Sequence, residues 1–136
     1  MTGYVLRRRV QFYETDMAGI VHFSWFFRYM EEAEHAMWRE AGLSIAGGNE
    51  VGWPRVEASF EFFRPLRFED EFEVHIRIAG KDARTIRYEG IILKGDTRVA
   101  TGRIVVKCVG HAPGEPLRSI DIPAEIDRLL QVAPGA

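Results

Sequence analysis

The second half of the chain constrains its fold most, because side chains there repeat with a strand period in segments too closely spaced for any crossover between them. Val56, Ala58, Phe60 and Phe62 alternate with Glu57, Ser59 and Glu61, and Phe72, Val74, Ile76 and Ile78 alternate with Glu71, Glu73, His75 and Arg77. A two-residue period belongs to strands that bury one face. Thr85 to Lys94 and Arg98 to Val109 are predicted as two more strands. Lys94-Gly95-Asp96-Thr97 forms the hairpin turn between them, Gly80-Lys81-Asp82 precedes that pair, and Arg64-Pro65-Leu66 separates the first two. Parallel pairing needs a connection of about a dozen residues or more, so these strands run antiparallel.

A helix is predicted ahead of them. Phe26, Met30, Ala33, Met37 and Ala41 keep a helical spacing, with Arg28, Glu31, Glu32, Glu34 and Arg39 elsewhere around the axis. Ser24 is placed as its N-cap, and Gly42 ends it, since glycine accepts the left-handed conformation of a C-terminal cap. Before the helix, Tyr4 to Tyr13 alternates Leu6, Val10 and Phe12 against Arg7, Arg9 and Gln11, which predicts another strand. Arg8 interrupts the pattern and points to an edge position or a subunit contact. Ser44 to Gly52 reads as a loop, Ala112 to Ile122 is rich in proline and glycine, and Ala124 to Leu130 reads as a short helix. One long helix with about five antiparallel strands makes an α+β layer fold in which the sheet covers the helix. Trp25, Phe26, Phe27, Tyr29 and Trp38 offer more aromatic surface than one helix face usually buries, which predicts self-association.

A chain of 136 residues suits one domain, expected to span residues 1 to 136, because a core becomes self-sufficient at roughly 100 to 150 residues. A net charge of −2 gives no reason to expect nucleic acid or an anionic membrane as partner. Cys108 is the only cysteine, so an intrachain disulfide is excluded and the reducing cytoplasm is the expected location. Met1 to Val10 has three consecutive arginines and no apolar run of signal-peptide length, and no later stretch predicts membrane insertion. His75 and His111 lack metal-ligand spacing, and no metal is expected. Ala46-Gly47-Gly48-Asn49 lacks the lysine and hydroxyl residue of a phosphate-binding loop.

Chemistry concentrates in Tyr13-Glu14-Thr15-Asp16-Met17-Ala18-Gly19-Ile20-Val21-His22-Phe23. An acidic residue in a turn just ahead of an apolar helix brings a carboxylate near the free backbone N–H groups of a helix start. Those are the local parts of a site that attacks a carbonyl and holds the resulting oxyanion, so hydrolysis of an activated acyl group is expected. The alternative is that Thr15 or Asp16 caps a short turn through Ala18 and Ile20.

Tyr13, Thr15-Asp16, Gly19-Ile20-Val21, the pair His22-Phe23 and a helix carrying Phe27 and Glu31 together resemble the 4-hydroxybenzoyl-CoA thioesterase family of hotdog-fold acyl-CoA thioesterases, including its Tol-Pal-associated members. The resemblance implies a long central helix wrapped by a curved antiparallel sheet, two subunits joined edge to edge, and active sites at their interface. It makes the protein an acyl-CoA thioesterase that acts as a homodimer or homotetramer. It assigns Asp16 as the catalytic carboxylate, either nucleophile or general base, and the Phe23 backbone N–H as the oxyanion donor. CoA is then part of the substrate, and no cofactor is implied.

Other positions keep two readings each. His22 lines the site or is a hydrogen-bonded structural group; relatives often carry tyrosine or tryptophan there, and some have histidine one position later. Tyr13 shapes the entrance or packs in the core. Gly19 permits close approach of substrate or simply makes a turn. Glu31 matches an acidic residue of the family or faces solvent, paired with His35. Arg55, Arg64, Arg84, Arg87 and Arg103 bind CoA phosphates or are ordinary strand charges. Two other function classes stay open: a hotdog dehydratase, for which no histidine motif is visible, and a non-hydrolytic module binding acyl-CoA or acyl carrier protein.

Overall fold

The computed structural model describes residues 1–46, 50–110 and 113–136. Its strands are β1 Gly3–Arg9, β2 Val51–Gly52, β3 Arg55–Phe62, β4 Glu71–Lys81, β5 Thr85–Lys94, β6 Thr97–Lys107, β7 Val109–Gly110 and β8 Arg118–Ser119. The helices are α1 Ser24–Glu40 and α2 Ala124–Leu129. An antiparallel five-stranded sheet in the order β1-β4-β5-β6-β3 packs against α1, and β2, β7 and β8 form a separate three-stranded sheet. This is the hotdog architecture, with α1 as the filling.

The period-two pattern dictates which sheet face meets the helix. Phe72, Val74, Ile76 and Ile78 of β4 are buried, as are Ile86, Tyr88 and Ile92 of β5, while α1 supplies Phe26, Met30, Ala33 and Met37 to the same core. Gly90 and Gly102 face each other in register on β5 and β6. A Cβ on Gly90 would lie 2.9 Å from Met30 Sδ, and one on Gly102 would lie 2.4 Å from the Phe60 ring. The missing side chains let Met30 and Phe60 rest directly on the sheet backbone, where larger residues would overpack the core.

The turns follow the predicted chemistry. Gly95, with φ +59°, and Asp96 form a two-residue turn between Lys94 and Thr97, which pair across the hairpin. At the end of α1, Gly42 adopts φ +82°; its N–H donates to the Arg39 carbonyl at 3.0 Å and that of Leu43 to Trp38 at 2.8 Å. These two bonds are a Schellman cap.

Several expectations are corrected. β1 ends at Arg9, and Phe12–Glu14 forms a 3-10 turn that leaves Phe12 exposed. β4 continues through Gly80 and Lys81, so the turn before β5 lies at Asp82 to Arg84. Ser24 is not the N-cap of α1 but its first residue; Phe23 holds the cap position without a side-chain bond. Phe26, Tyr29 and Trp38 are buried within one chain, because the sheet wraps far enough to cover them. Exposed apolar side chains lie on and just after edge strand β3, where Val56, Phe62 and Phe63 are 56%, 47% and 43% exposed, and around the segment before α1, at Phe12, Tyr13, Met17 and Phe23. Within the stretch 44–52, Val51–Gly52 pairs with β7. Gly47, Gly48, Asn49, His111 and Ala112 lie outside the described residues. Among the described residues no helix is long and apolar enough to cross a membrane.

Candidate active site

Residues 14 to 22 form a narrow hairpin between β1 and α1. The Glu14 carbonyl accepts the His22 N–H at 2.9 Å, Thr15 and Val21 make an antiparallel bridge, and Asp16 N–H donates to the Ile20 carbonyl at 2.9 Å. Gly19 closes the tip with φ +79° and donates its N–H to the Asp16 carbonyl at 2.9 Å. The Val21 amide binds the Leu66 carbonyl at 2.8 Å, which ties the hairpin to the segment leading into β4.

This path places Asp16 and Phe23 on one cavity. It has a volume of about 450 Å³, with Asp16, Ile20, Phe23 and Phe26 on one side and Phe62, Phe63, Arg64 and Pro65 on the other. Asp16 Oδ1 accepts the Ala18 N–H at 2.9 Å, whereas Oδ2 has no hydrogen-bond partner among the described residues. The carboxylate therefore makes a capping contact within its turn through one oxygen and leaves the other unpartnered, on a residue that lines the cavity. At the start of α1, the Ser24 N–H reaches His22 Nδ1 at 3.3 Å, that of Trp25 the His22 carbonyl at 2.9 Å, and that of Phe26 the Phe23 carbonyl at 3.2 Å. The Phe23 N–H has no acceptor among the described residues. It is the type of orphan donor that a helix start presents, with the positive end of the helix dipole behind it.

Of the other sequence candidates Arg64 lines this cavity, whereas Tyr13, Gly19, His22 and Glu31 do not in the single chain. Tyr13 is exposed, with its ring edge-on to Trp25 at 5.5 Å. The His22 ring lies tilted against that of Phe23 with centroids 4.6 Å apart, and its Nδ1 lies 2.8 Å from Ser24 Oγ. Nothing lies within 4 Å of a Cβ built on Gly19, so its positive φ, rather than crowding, accounts for the glycine. Glu31 faces Arg55 at 3.5 Å and Arg28 at 3.7 Å, while His35 approaches Glu34 instead. A larger groove of about 770 Å³ crosses the sheet face opposite α1, between Val5, His75, Arg77, Glu89 and Arg103. It contains neither Asp16 nor Phe23, and its Arg77 and Glu89 are paired at 2.7 Å.

Sequence reasoning missed the ion pairs behind the site. Glu14 is fully buried; its carboxylate receives Arg8 Nη1 at 2.7 Å, Arg8 Nη2, the Gln11 N–H at 2.8 Å and the Tyr29 hydroxyl at 2.9 Å. Burial pushes this carboxyl upward, but Arg8 and the two other donors outweigh it and hold it below the usual carboxylate range. Burial and the neighbouring Glu14 push the Tyr29 hydroxyl well up, so it donates as a neutral phenol. The signal was available in Arg8 itself. It shares the inward period of Leu6 and Val10, and a charge on a core-facing position requires a buried partner. A similar pair joins Arg55 to Glu34, which is buried although it lies off the apolar stripe of α1.

The sequence pattern of the thioesterase-like superfamily matches residues 10–130. The chain belongs to that superfamily. The matched region runs from the end of β1 through the Asp16 hairpin to α2. An Aquifex aeolicus protein with a provisional esterase name is 35% identical over 94% of this chain and 98% of its own. A crystal structure of an Aquifex aeolicus protein whose name states no activity superposes with a TM-score of 0.88 at 33% identity, covering 94% of this chain and 99% of that one. A gentisyl-coenzyme A thioesterase superposes with a TM-score of 0.82 at 27% identity, covering 90% of this chain and 98% of that one.

Proposed function

We propose that this thioester hydrolase cleaves aromatic acyl-CoA to the free acid and CoA, with Asp16 and the Phe23 amide as its reacting and stabilising groups. The observation that carries the proposal is that a partly free carboxylate and an unpaired helix-start N–H belong to two residues lining one cavity walled by Phe23, Phe26, Phe62 and Phe63. An aryl acyl group fits walls of this kind, since ring pairs gain about 0.5–1.5 kcal/mol beyond burial. The similar gentisyl-CoA thioesterase supports the same substrate class. The narrower likeness to 4-hydroxybenzoyl-CoA thioesterases rests on the Tyr13 to Glu31 motif.

Two routes use these groups. In one, Asp16 Oδ2 bonds to the carbonyl carbon, the C–S bond breaks, the thiolate departs and takes a proton, and water then hydrolyses the mixed anhydride. In the other, Asp16 takes a proton from water as that water attacks the same carbon; the tetrahedral species then collapses, the C–S bond breaks, and the departing thiolate takes up the proton. Both develop negative charge on the carbonyl oxygen, where a fixed N–H donor lowers the barrier. Arg64 at the cavity edge places a cation beside the route a CoA chain would take. Tyr13, Gly19, His22 and Glu31 reach the substrate in this scheme only through a second subunit or a change in the hairpin.

The test is thiol release measured with a thiol reagent over a panel of aromatic and aliphatic acyl-CoAs, in the presence of a chelator. Release fastest with aromatic acyl groups is expected. Binding without release would instead favour the acyl-thioester-binding module.

The same proposal includes a homodimer, or a homotetramer built from it, in the cytoplasm, where the buried free thiol of Cys108 is stable. Support for assembly comes from β3, an open edge whose Val56, together with Phe62 and the adjacent Phe63, is exposed in one chain. A partner strand there would also wall the cavity beside Phe62 and Phe63. Sedimentation equilibrium at micromolar concentration should give at least twice the chain mass, and a monomer would remove the interfacial site.

A further inference from the structure

We propose that Glu14, held by Arg8 and Tyr29, is a positioning residue that fixes the Asp16 carboxylate and the Phe23 amide relative to each other. This rests on the acyl-CoA hydrolysis proposed above. Glu14 does not line the cavity, so its role runs through the backbone.

Three elements converge on its carboxylate. Arg8 comes from β1, the Gln11 N–H from the turn after it, and the Tyr29 hydroxyl from the second turn of α1. Its own carbonyl binds the His22 N–H, and the bridge between Thr15 and Val21 and the bond from Asp16 to Ile20 follow outward from there. Glu14 is thus the root of a hairpin that carries Asp16 near its tip. The same root bond occupies the His22 amide, and the next amide along the chain is the free one of Phe23.

Stability alone does not call for this arrangement. A buried ion pair is often matched or exceeded by apolar residues of similar volume, so an ionic root is better suited to selecting one geometry than to adding free energy. Reacting groups need to be held within about 0.5 Å, and a displacement near 1 Å can cost about a hundredfold in rate. Tyr29 is also packed in place: its ring lies 4.6 Å from the Arg8 guanidinium carbon and 4.7 Å from the tilted Phe72 ring. Arg8 has a second carboxylate, Glu32, at 2.8 Å, which leaves it paired when Glu14 is neutralised. Glu14→Gln is therefore a variant that can fold.

The experiment compares Glu14→Gln, Tyr29→Phe and their double variant with the wild type and Asp16→Asn. It measures kcat and KM for thiol release together with hydrogen exchange of residues 12 to 24. Tyr29→Phe removes only the hydroxyl bond to Glu14 and should lower kcat by about 5- to 20-fold, and Glu14→Gln by about 10- to 100-fold, with KM within about twofold. The double variant should fall short of the product of the two, because both act through one contact. Exchange should accelerate at His22 while β4, β5 and β6 stay protected. Should Glu14→Gln fail to fold, Tyr29→Phe decides the matter alone. Unchanged kcat in both single variants beside an inactive Asp16→Asn would remove the positioning role only. A wild type that releases no thiol, or a fully active Asp16→Asn, would remove the hydrolytic proposal and the positioning role together.

Discussion

Asp16→Asn should lower thioester turnover by about a hundredfold or more while leaving acyl-CoA affinity near the wild-type value. The structure makes this substitution selective. Asp16 Oδ1 holds the Ala18 N–H at 2.9 Å, and the asparagine carbonyl oxygen can keep that bond, so the turn survives. What is lost is the basic and nucleophilic character of the second carboxylate oxygen. Capping and chemistry are thereby separated at one residue, since asparagine and aspartate cap almost equally well. Hydrolysis is read by thiol release, and affinity by titration with a non-hydrolysable thioether analogue. Full turnover in the variant would reduce Asp16 to a turn residue.

Ala33→Asp should unfold the protein or cost it more than about 3 kcal/mol, a large share of the roughly 5–15 kcal/mol that holds a domain together. Ala33 is 0% exposed on the face of α1 that carries Met30 and Met37 into the core. The nearby buried carboxylates already have their cationic partners: Arg8 binds Glu14 and Arg55 binds Glu34. An added carboxylate would be buried without one, or would have to be protonated. Urea unfolding followed by circular dichroism reads the loss. A midpoint equal to that of the wild type would mean that Ala33 faces solvent and that the helix is rotated from its present packing.

Features set by neighbours in the chain were legible before the structure. Alternation in β4, the α1 stripe from Phe26 to Met37, the Gly95-Asp96 turn and the Gly42 cap each depend on contacts or dihedrals within a few residues. Their periods therefore survive in the sequence. Pairing at the sheet edge was less legible. Val56, Ala58 and Phe62 alternate like a half-buried strand, yet β3 is exposed along most of its length, because it is an edge strand paired only with β6, and α1 reaches it only through Phe26 and Phe27 against Phe60 and Phe62.

The candidate site divides along the same line. The sequence alone determined that Asp16 stands in a turn and Phe23 at a helix start, since both follow from local backbone preference. Only the tertiary structure decided what faces them. Phe62, Phe63 and Arg64 come from a segment far along the chain, and they meet Asp16 because the Val21 amide is bonded to the Leu66 carbonyl. Arg8, Glu14 and Tyr29 likewise read as separate polar residues until folding brings them together. Local periodicity carries no term for such long-range contacts, whose partners are selected by burial: a charge carried into the core settles where an opposite charge and donors await it.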